Sequence, residues 1–201
     1  MVKNKIKIGV IGIQGDVSEH VIMMQKTLKE TNTPGEVFIV KTKENIDEID
    51  ALILPGGEST TISKILNKSG LYTRIQKRIK ENNLPTMGTC AGCVLLAKKL
   101  TDTYGDVTLL EAMDIQVTRN AFGRQKESFE KNLRIDGLHS MFNAVFIRAP
   151  VIEKTWGNCK PLAKIDKKIV MAKQGNLLAL SFHPELTGDT RIHKYFLEMI
   201  I

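Results

Sequence analysis

The segment Gly88-Thr89-Cys90-Ala91-Gly92 constrains this chain more than any other. It has the form G-x-C-x-G. A short strand-like stretch, Pro85-Thr86-Met87, precedes it, and an apolar run that reads as a helix to residue 100 follows. Strand, sharp turn and helix with a reactive side chain at the turn is the nucleophile-elbow pattern, here carrying cysteine in place of serine. Only small neighbours let a chain bend that tightly. A cysteine so placed stands at a helix N-terminus, whose dipole favours thiolate over thiol. The N–H of Ala91 points toward the same space and can serve an oxyanion. An elbow also needs a sheet beneath it, and the first half of the chain predicts one. Residues 5–13, 37–40 and 50–54 read as strands. Between and after them lie helices from an N-cap at Ser18 to about residue 29, over 60–66 and over 72–82. Such alternation predicts an α/β fold with a parallel sheet and helices on both faces. The second half differs, with strands expected at 115–118, 144–148, 161–165, 169–173 and 177–182, and a last helix over 189–201. There is no internal repeat, low-complexity tract or long linker. At 201 residues the expectation is a single domain over 1–201.

Charge enters as a possible objection to an enzyme. The chain has 29 Lys and Arg against 22 Asp and Glu, a formal charge of +7, which invites a nucleic-acid reading. The basic residues are spread along the chain and sit beside acidic ones, as in Lys41-Thr42-Lys43-Glu44, and aromatics make up only 5 %. That leaves few platforms for stacking bases. A solvated basic surface, or a docking face for an acidic protein, fits better than nucleic acid. Three cysteines are too few for a disulfide scaffold. The apolar run 8–13 is followed by Gln14-Gly15-Asp16, no cleavage site, and nothing approaches the roughly 18 apolar residues of a membrane span. A reducing cytoplasm is the expected location.

A cysteine nucleophile needs a base. Of the four histidines, His183 stands out in Ser181-Phe182-His183-Pro184-Glu185, after an apolar strand. In extended chain, residues two apart point the same way, so Glu185 can turn back on the His183 ring and hold its tautomer, with Pro184 stiffening the link. Cys90, His183 and Glu185 then form nucleophile, base and orienter. His20, His139 and His193 sit in ordinary helical or turn contexts and read as surface or packing residues. In Pro55-Gly56-Gly57-Glu58-Ser59-Thr60 the paired glycines let backbone N–H groups face outward. The full phosphate-loop pattern is absent, and the spacing of Gly9, Gly12 and Gly15 is not that of a dinucleotide site. A second oxyanion donor, the Gly57 N–H, is the better role, and one such donor is worth about 3 kcal/mol of transition-state stabilisation. Cys90 and Cys93 also make a C-x-x-C, the spacing of a redox pair. Cys93 leads into Val94-Leu95-Leu96, however, and reads as a packing residue. Zinc is disfavoured, since there is no second pair and Cys159 has no partner nearby in sequence.

Together, PGGEST, GTCAG and SFHPE resemble the class I, triad-type glutamine amidotransferases. GVIGIQGDVSEH near the start, RNAFGRQ at 119–125, FIRAP at 146–150, AKQG at 172–175 and SFHPELTGD at 181–189 narrow this further. They are similar to the glutaminase subunits of pyridoxal 5′-phosphate synthases, and the resemblance runs over residues 6–201. It implies a flavodoxin-like three-layer sandwich with a mainly parallel central sheet and additional antiparallel strands in the second half. It implies Cys90 as nucleophile, with His183 and Glu185 completing the triad. Gly57, Glu58 and Ser59 would line the L-glutamine site, and Arg119, Ile147 and Arg148 would hold its head group. Gln14 would lie where the family meets its partner. No metal or organic cofactor is called for. The family delivers ammonia to a separate barrel-type synthase, which joins it with a pentose phosphate and a triose phosphate, and the lone glutaminase is weak until it docks. Two features depart from the pattern. Cys93 stands where an apolar residue is expected, which leaves open an oxidative off-switch through Cys90, and segment 101–109 matches no motif. The rival readings are the glutaminase subunit of another amidotransferase, such as imidazole glycerol phosphate synthase, a cysteine hydrolase of similar build, and a C-x-x-C redox protein.

Overall fold

The structure, a computed structural model, describes residues 5–101, 106–122 and 128–201. In chain order the strands of the first half are β1 (Ile6–Ile11), β2 (Gly35–Val40), β3 (Ala51–Leu54), β4 (Thr86–Thr89) and β5 (Ala97–Leu100). Those of the second half are β6 (Met113–Thr118), β7 (Ser128–Leu133), β8 (Phe142–Ile147), β9 (Val151–Thr155), β10 (Lys160–Ile165), β11 (Lys168–Gln174) and β12 (Leu177–Leu180). The helices are α1 (Val17–Glu30), α2 (Lys43–Glu48), α3 (Ser59–Ser69), α4 (Leu71–Lys80), α5 (Ala91–Leu96) and α6 (Arg191–Glu198). A 3₁₀ turn spans Pro184–Leu186. None of the described helices is long and apolar enough to cross a membrane.

The large sheet has the order β2-β1-β3-β4-β12-β11-β9-β6-β5, with β10 paired to β11. From β2 to β12 every pairing is parallel. From β12 to β6 the pairings are antiparallel, and β5 joins β6 in parallel. This is the mainly parallel sheet with antiparallel additions that the two halves of the sequence predict. β7 and β8 form a separate hairpin.

Strands β3, β4 and β12 are buried along their whole length. A parallel strand covered on both faces reads as a continuous apolar run, which is why DALIL and LLAL show no polar alternation. Successive side chains feed two different cores. Leu52 and Leu54 of β3, with Leu177 and Ala179 of β12, pack with α2 to α5 through Ile46, Ile62, Leu66, Ile75 and Val94. Ala51 and Ile53, with Leu178 and Leu180, face the other layer. There they meet Met24 and Leu28 of α1, Ile192, Phe196 and Leu197 of α6, and Phe142 and Phe146 of the hairpin. The three-layer sandwich expected from the resemblance is present.

Several local expectations are corrected. Ser18 is not the N-cap of α1. It lies inside the helix, with its hydroxyl on the Glu19 carboxylate at 2.9 Å, and Asp16 occupies the cap position without making a cap bond. The apolar helix after Cys90 stops at Leu96 rather than residue 100. Its last carbonyls accept instead from a remote segment, Leu110 N–H to Leu95 O at 2.7 Å and Ala112 N–H to Leu96 O at 3.1 Å, so the chain leaves the helix and pairs as β5. Helix α2 lies outside the elements the sequence predicts, although Thr42 and Asn45 cap each other reciprocally and offer a local start signal. Strands β7 and β9 also lie outside the predicted elements. Segment 101–109 is held in part by α3 and α4: Thr108 N–H donates to Ser63 Oγ at 2.7 Å and Tyr72 OH to Leu109 O at 2.7 Å. Residues 102–105 of that segment lie outside the described residues, as do Gly123, Arg124 and Gln125 of RNAFGRQ.

Candidate active site

In an open α/β sheet the loops beyond the carboxyl ends of the parallel strands converge, and ligands bind there. Here the loops after β1, β3, β4 and β12 bring Asp16, Gly57, Cys90 and His183 to one cavity of about 280 Å³. The β8–β9 turn adds Ile147, Arg148 and Pro150, and the end of β6 adds Arg119 and Asn120. Glu58, Ser59 and Ala91 line it as well. Of the residues singled out in sequence for catalysis or glutamine binding, all line this cavity except Glu185, which lies behind His183. Gln14 is exposed beside it, and its side-chain carbonyl accepts from the Glu58 N–H at 3.4 Å.

The elbow is built as the glycines require. A Cβ on Gly88 would strike the Gly92 backbone, and one on Gly92 would strike the Leu54 carbonyl of β3. Strand, helix and neighbouring strand therefore pack at backbone contact, which lets the chain reverse within a few residues. Cys90 itself takes φ +47° and ψ −102°, a conformation that costs an L residue about 1–3 kcal/mol. Its N–H is tied to the Leu180 carbonyl at 2.8 Å, so the sheet holds the strain. The thiol lies 3.8 Å from the Ile147 carbonyl.

His183 is buried. Its N–H donates to the Val145 carbonyl of β8 at 2.8 Å, and it caps the 3₁₀ turn that carries Glu185. The local path is thus a turn, not the extended strand expected to residue 182. It still brings Glu185 Oε1 to 2.8 Å from His183 Nδ1. His183 Nε2, at the opposite edge of the ring, makes no hydrogen bond. Burial pulls the ring toward the neutral form, but the Asp16 and Glu185 carboxylates on Nδ1, with the Cys90 side chain nearby, outweigh it and the pKa is pushed up to about 12. Burial pushes the Glu185 carboxyl up, and His183 offsets part of that. Cys93 is buried in the apolar core, and burial pushes its thiol well up, so it is a packing thiol as the sequence predicts. Burial pushes Cys159 up as well, to about 12.

Two features of the site leave no signal in the sequence. Asp16 Oδ2 stands 3.0 Å from His183 Nδ1, so the ring is shared by two carboxylates. This explains the missing cap bond on α1: a contribution of about 1 kcal/mol to helix stability is given up to orient a histidine. His20 and His193, expected to be ordinary packing or surface residues, are both fully buried, and His20 reaches Glu185. Asp16, His183 and Glu185 are the described group close enough to hold a metal ion, their donor atoms lying within 4.8 Å of one another. A cation on Nδ1 would displace the proton that the two carboxylates share, so the cluster is better suited to orient an imidazole.

Asp16→Asn is expected to lower the pH at which His183 loses its proton, as read by NMR titration of the ring. The sign for stability follows from the raised value. Stabilisation by His183 is complete below its ordinary 6.5 and is lost as pH rises toward about 12. The variant is therefore less stable than the parent at neutral pH, and the gap narrows as the solution becomes alkaline. Urea midpoints measured at several pH values check this, and a gap that widens with pH contradicts it.

The SNO glutamine amidotransferase family model matches residues 10–201. The chain belongs to this family. Among its curated relatives, the pyridoxal 5′-phosphate synthase subunit PdxT of Staphylothermus marinus is 50 % identical, over 98 % of this chain and 99 % of the relative. That of Methanococcoides burtonii is also 50 % identical, over 97 % and 99 %. A crystal structure described as a glutamine amidotransferase superposes with a TM-score of 0.85 at 43 % identity, covering 96 % of this chain and 98 % of that one. The family resemblance drawn from PGGEST, GTCAG and SFHPE is thereby borne out, and so is the fold it implied.

Proposed function

We propose that this chain is the glutaminase subunit of a pyridoxal 5′-phosphate synthase, hydrolysing L-glutamine to L-glutamate and ammonia. The observation that carries the reading is His183: Nδ1 is anchored on Glu185, Nε2 is unoccupied, and the ring lines the same cavity as a cysteine on a strained elbow.

His183, which its flanking carboxylates hold in the protonated form, keeps on Nε2 the proton that Cys90 gives up, and the thiolate attacks the side-chain amide carbon of glutamine. The carbonyl electron pair moves onto oxygen, where the N–H groups of Gly57 and Ala91 stabilise it. His183 returns the proton to the departing nitrogen, ammonia leaves, and a cysteinyl thioester remains. Water, deprotonated by the same ring, cleaves the thioester to glutamate and regenerates the thiol. The planar guanidinium groups of Arg119 and Arg148 suit two-point contact with the α-carboxylate, and Ile147, Glu58 and Ser59 complete the wall. No metal or organic cofactor enters these steps.

Residues 1–201 act as one glutaminase domain in the cytoplasm. Free ammonia is largely protonated at neutral pH and a poor nucleophile, so it passes directly to a barrel-type synthase subunit. Gln14 lies at the docking face. Its hydrogen bond to the Glu58 N–H links that face to the Gly56-Gly57 loop, whose flip on docking completes the oxyanion site. The test is glutamate release by the chain alone and with a pyridoxal 5′-phosphate synthase partner. Strong stimulation is expected. Equal turnover with and without partner rejects the docking mechanism, and no turnover in either state rejects the glutaminase.

A further inference from the structure

Behind the triad, α1 and α6 place two histidines in a line that ends on Glu185. Glu185 uses Oε1 to accept from His183, which leaves Oε2 deeply buried and without a hydrogen bond of good geometry. The ring atom facing it is His20 Nε2, 3.3 Å away and also 3.0 Å from Thr89 Oγ1. On the far side of that ring, His20 Nδ1 lies 3.2 Å from His193 Nε2. His193 Nδ1 has no partner. Both rings are neutral, since burial holds His20 well below its ordinary range and takes His193 to about 3.

Two neutral rings leave two self-consistent proton arrangements. In one, His193 Nε2–H donates to His20 Nδ1, and His20 Nε2–H lies between Thr89 Oγ1 and the Glu185 carboxylate, able to serve either. The orphan atom is then a bare ring nitrogen. In the other, every proton is reversed: a bare His20 nitrogen accepts from the Thr89 hydroxyl and faces the carboxylate, Oε2 has no donor, and His193 Nδ1–H is buried with no acceptor. Buried N–H groups without acceptors are rarer than underused acceptors, and a buried carboxylate oxygen without a donor is costlier still. The first arrangement leaves fewer buried groups unsatisfied.

We propose that His20 is a positioning residue of the glutaminase, donating from Nε2 to the second oxygen of Glu185, and that His193 fixes the tautomer in which it can do so. The inference rests on the glutaminase reading above. It makes the orienting carboxylate a group held at both oxygens, so that it points at His183 without rotating. The chain crosses three separate elements, and docking of α1 and α6 is thereby tied to the geometry of the base.

The first test needs no mutation. Long-range ¹H–¹⁵N spectra of the wild-type chain should show His20 and His193 as neutral Nε2–H tautomers near pH 7. An Nδ1–H tautomer or a protonated ring at His20 overturns the proposal. The second test uses the chain with its synthase partner. His20→Leu should lower kcat for glutamine about tenfold with KM little changed, the scale on which loss of an outer supporting hydrogen bond commonly acts. His20→Gln, whose amide nitrogen lies close to the position of Nε2, should recover most of that. Equal loss in both variants, with thermal midpoints unchanged, overturns the proposal. If His20→Leu does not fold, the spectra decide. An active wild type with the wrong tautomer defeats this inference alone, whereas an inactive wild type with the expected tautomers defeats the glutaminase reading.

Discussion

Cys90→Ala, assayed with the synthase partner present, is expected to lower glutamate release by at least about four orders of magnitude, the scale on which loss of a nucleophile acts when its companions cannot work without it. Glutamine binding should survive. Alanine keeps the Cβ, so the elbow geometry at φ +47° is no more strained than before, and the Gly88 and Gly92 contacts that shape it are untouched. The cavity walls contributed by Arg119, Arg148 and Ser59 remain. The affinity of the variant for glutamine, measured by calorimetry, should lie within a few-fold of the parent. Residual turnover above about 1 % would mean that water is activated directly by His183, and the thioester route would be wrong. A large loss of affinity would instead show that the thiol is part of the binding wall.

The largest expected effect on stability comes from Phe146→Ala in β8. The ring is fully buried and stacks on Phe129 with centroids 4.7 Å apart and planes 5° from parallel. It also meets Phe122 at 5.7 Å and Phe182 at 5.6 Å. Emptying such a site costs about 3–5 kcal/mol, because the surrounding rings belong to three different segments and cannot all collapse inward. In a chain of this size that is a fall of roughly 10 °C in thermal midpoint. Activity should fall before unfolding does. β8 supplies the Val145 carbonyl that holds the His183 backbone, and it ends in Ile147, next to Arg148 on the cavity wall. Urea denaturation of parent and variant measures the first effect, and KM for glutamine the second. A loss below 1 kcal/mol would mean that the aromatic cluster is dispensable to this layer.

What could be read without coordinates was local in sequence. The strand, turn and helix around Cys90 lie within fifteen residues or so, and the glycines announce the backbone contacts that the turn requires. His183 and Glu185 are two residues apart, so their hydrogen bond depends on the path of one short segment. That path proved to be a 3₁₀ turn rather than a strand, and the pair forms all the same. The buried parallel strands were equally visible, since continuous apolar runs bounded by glycine and proline have few other uses. The misplaced elements share a different character. The end of α5 at Leu96 is set by hydrogen bonds from Leu110 and Ala112, not by any helix-stop residue, and β7 and β9 carry charged residues that hide their period.

Local spacing and backbone sterics therefore determined the elbow, the base with its carboxylate, the parallel sheet and the family. Asp16 shows where that determination stops. By sequence it stands two residues before the expected cap, Ser18; in the structure it holds the cap position itself, a place where a carboxylate ordinarily caps backbone N–H groups. In the fold the loops after β1 and β12 converge, and its carboxylate takes the His183 ring instead. His20 and His193 are similar. Their residue types and helical settings suggest simple packing, and only the docking of α1 and α6 against the sheet aligns them behind Glu185. Hydrogen bonds between segments remote in sequence leave no spacing to detect. Their partners are chosen when the layers pack, because a buried polar group must take whatever donor or acceptor the opposing element presents.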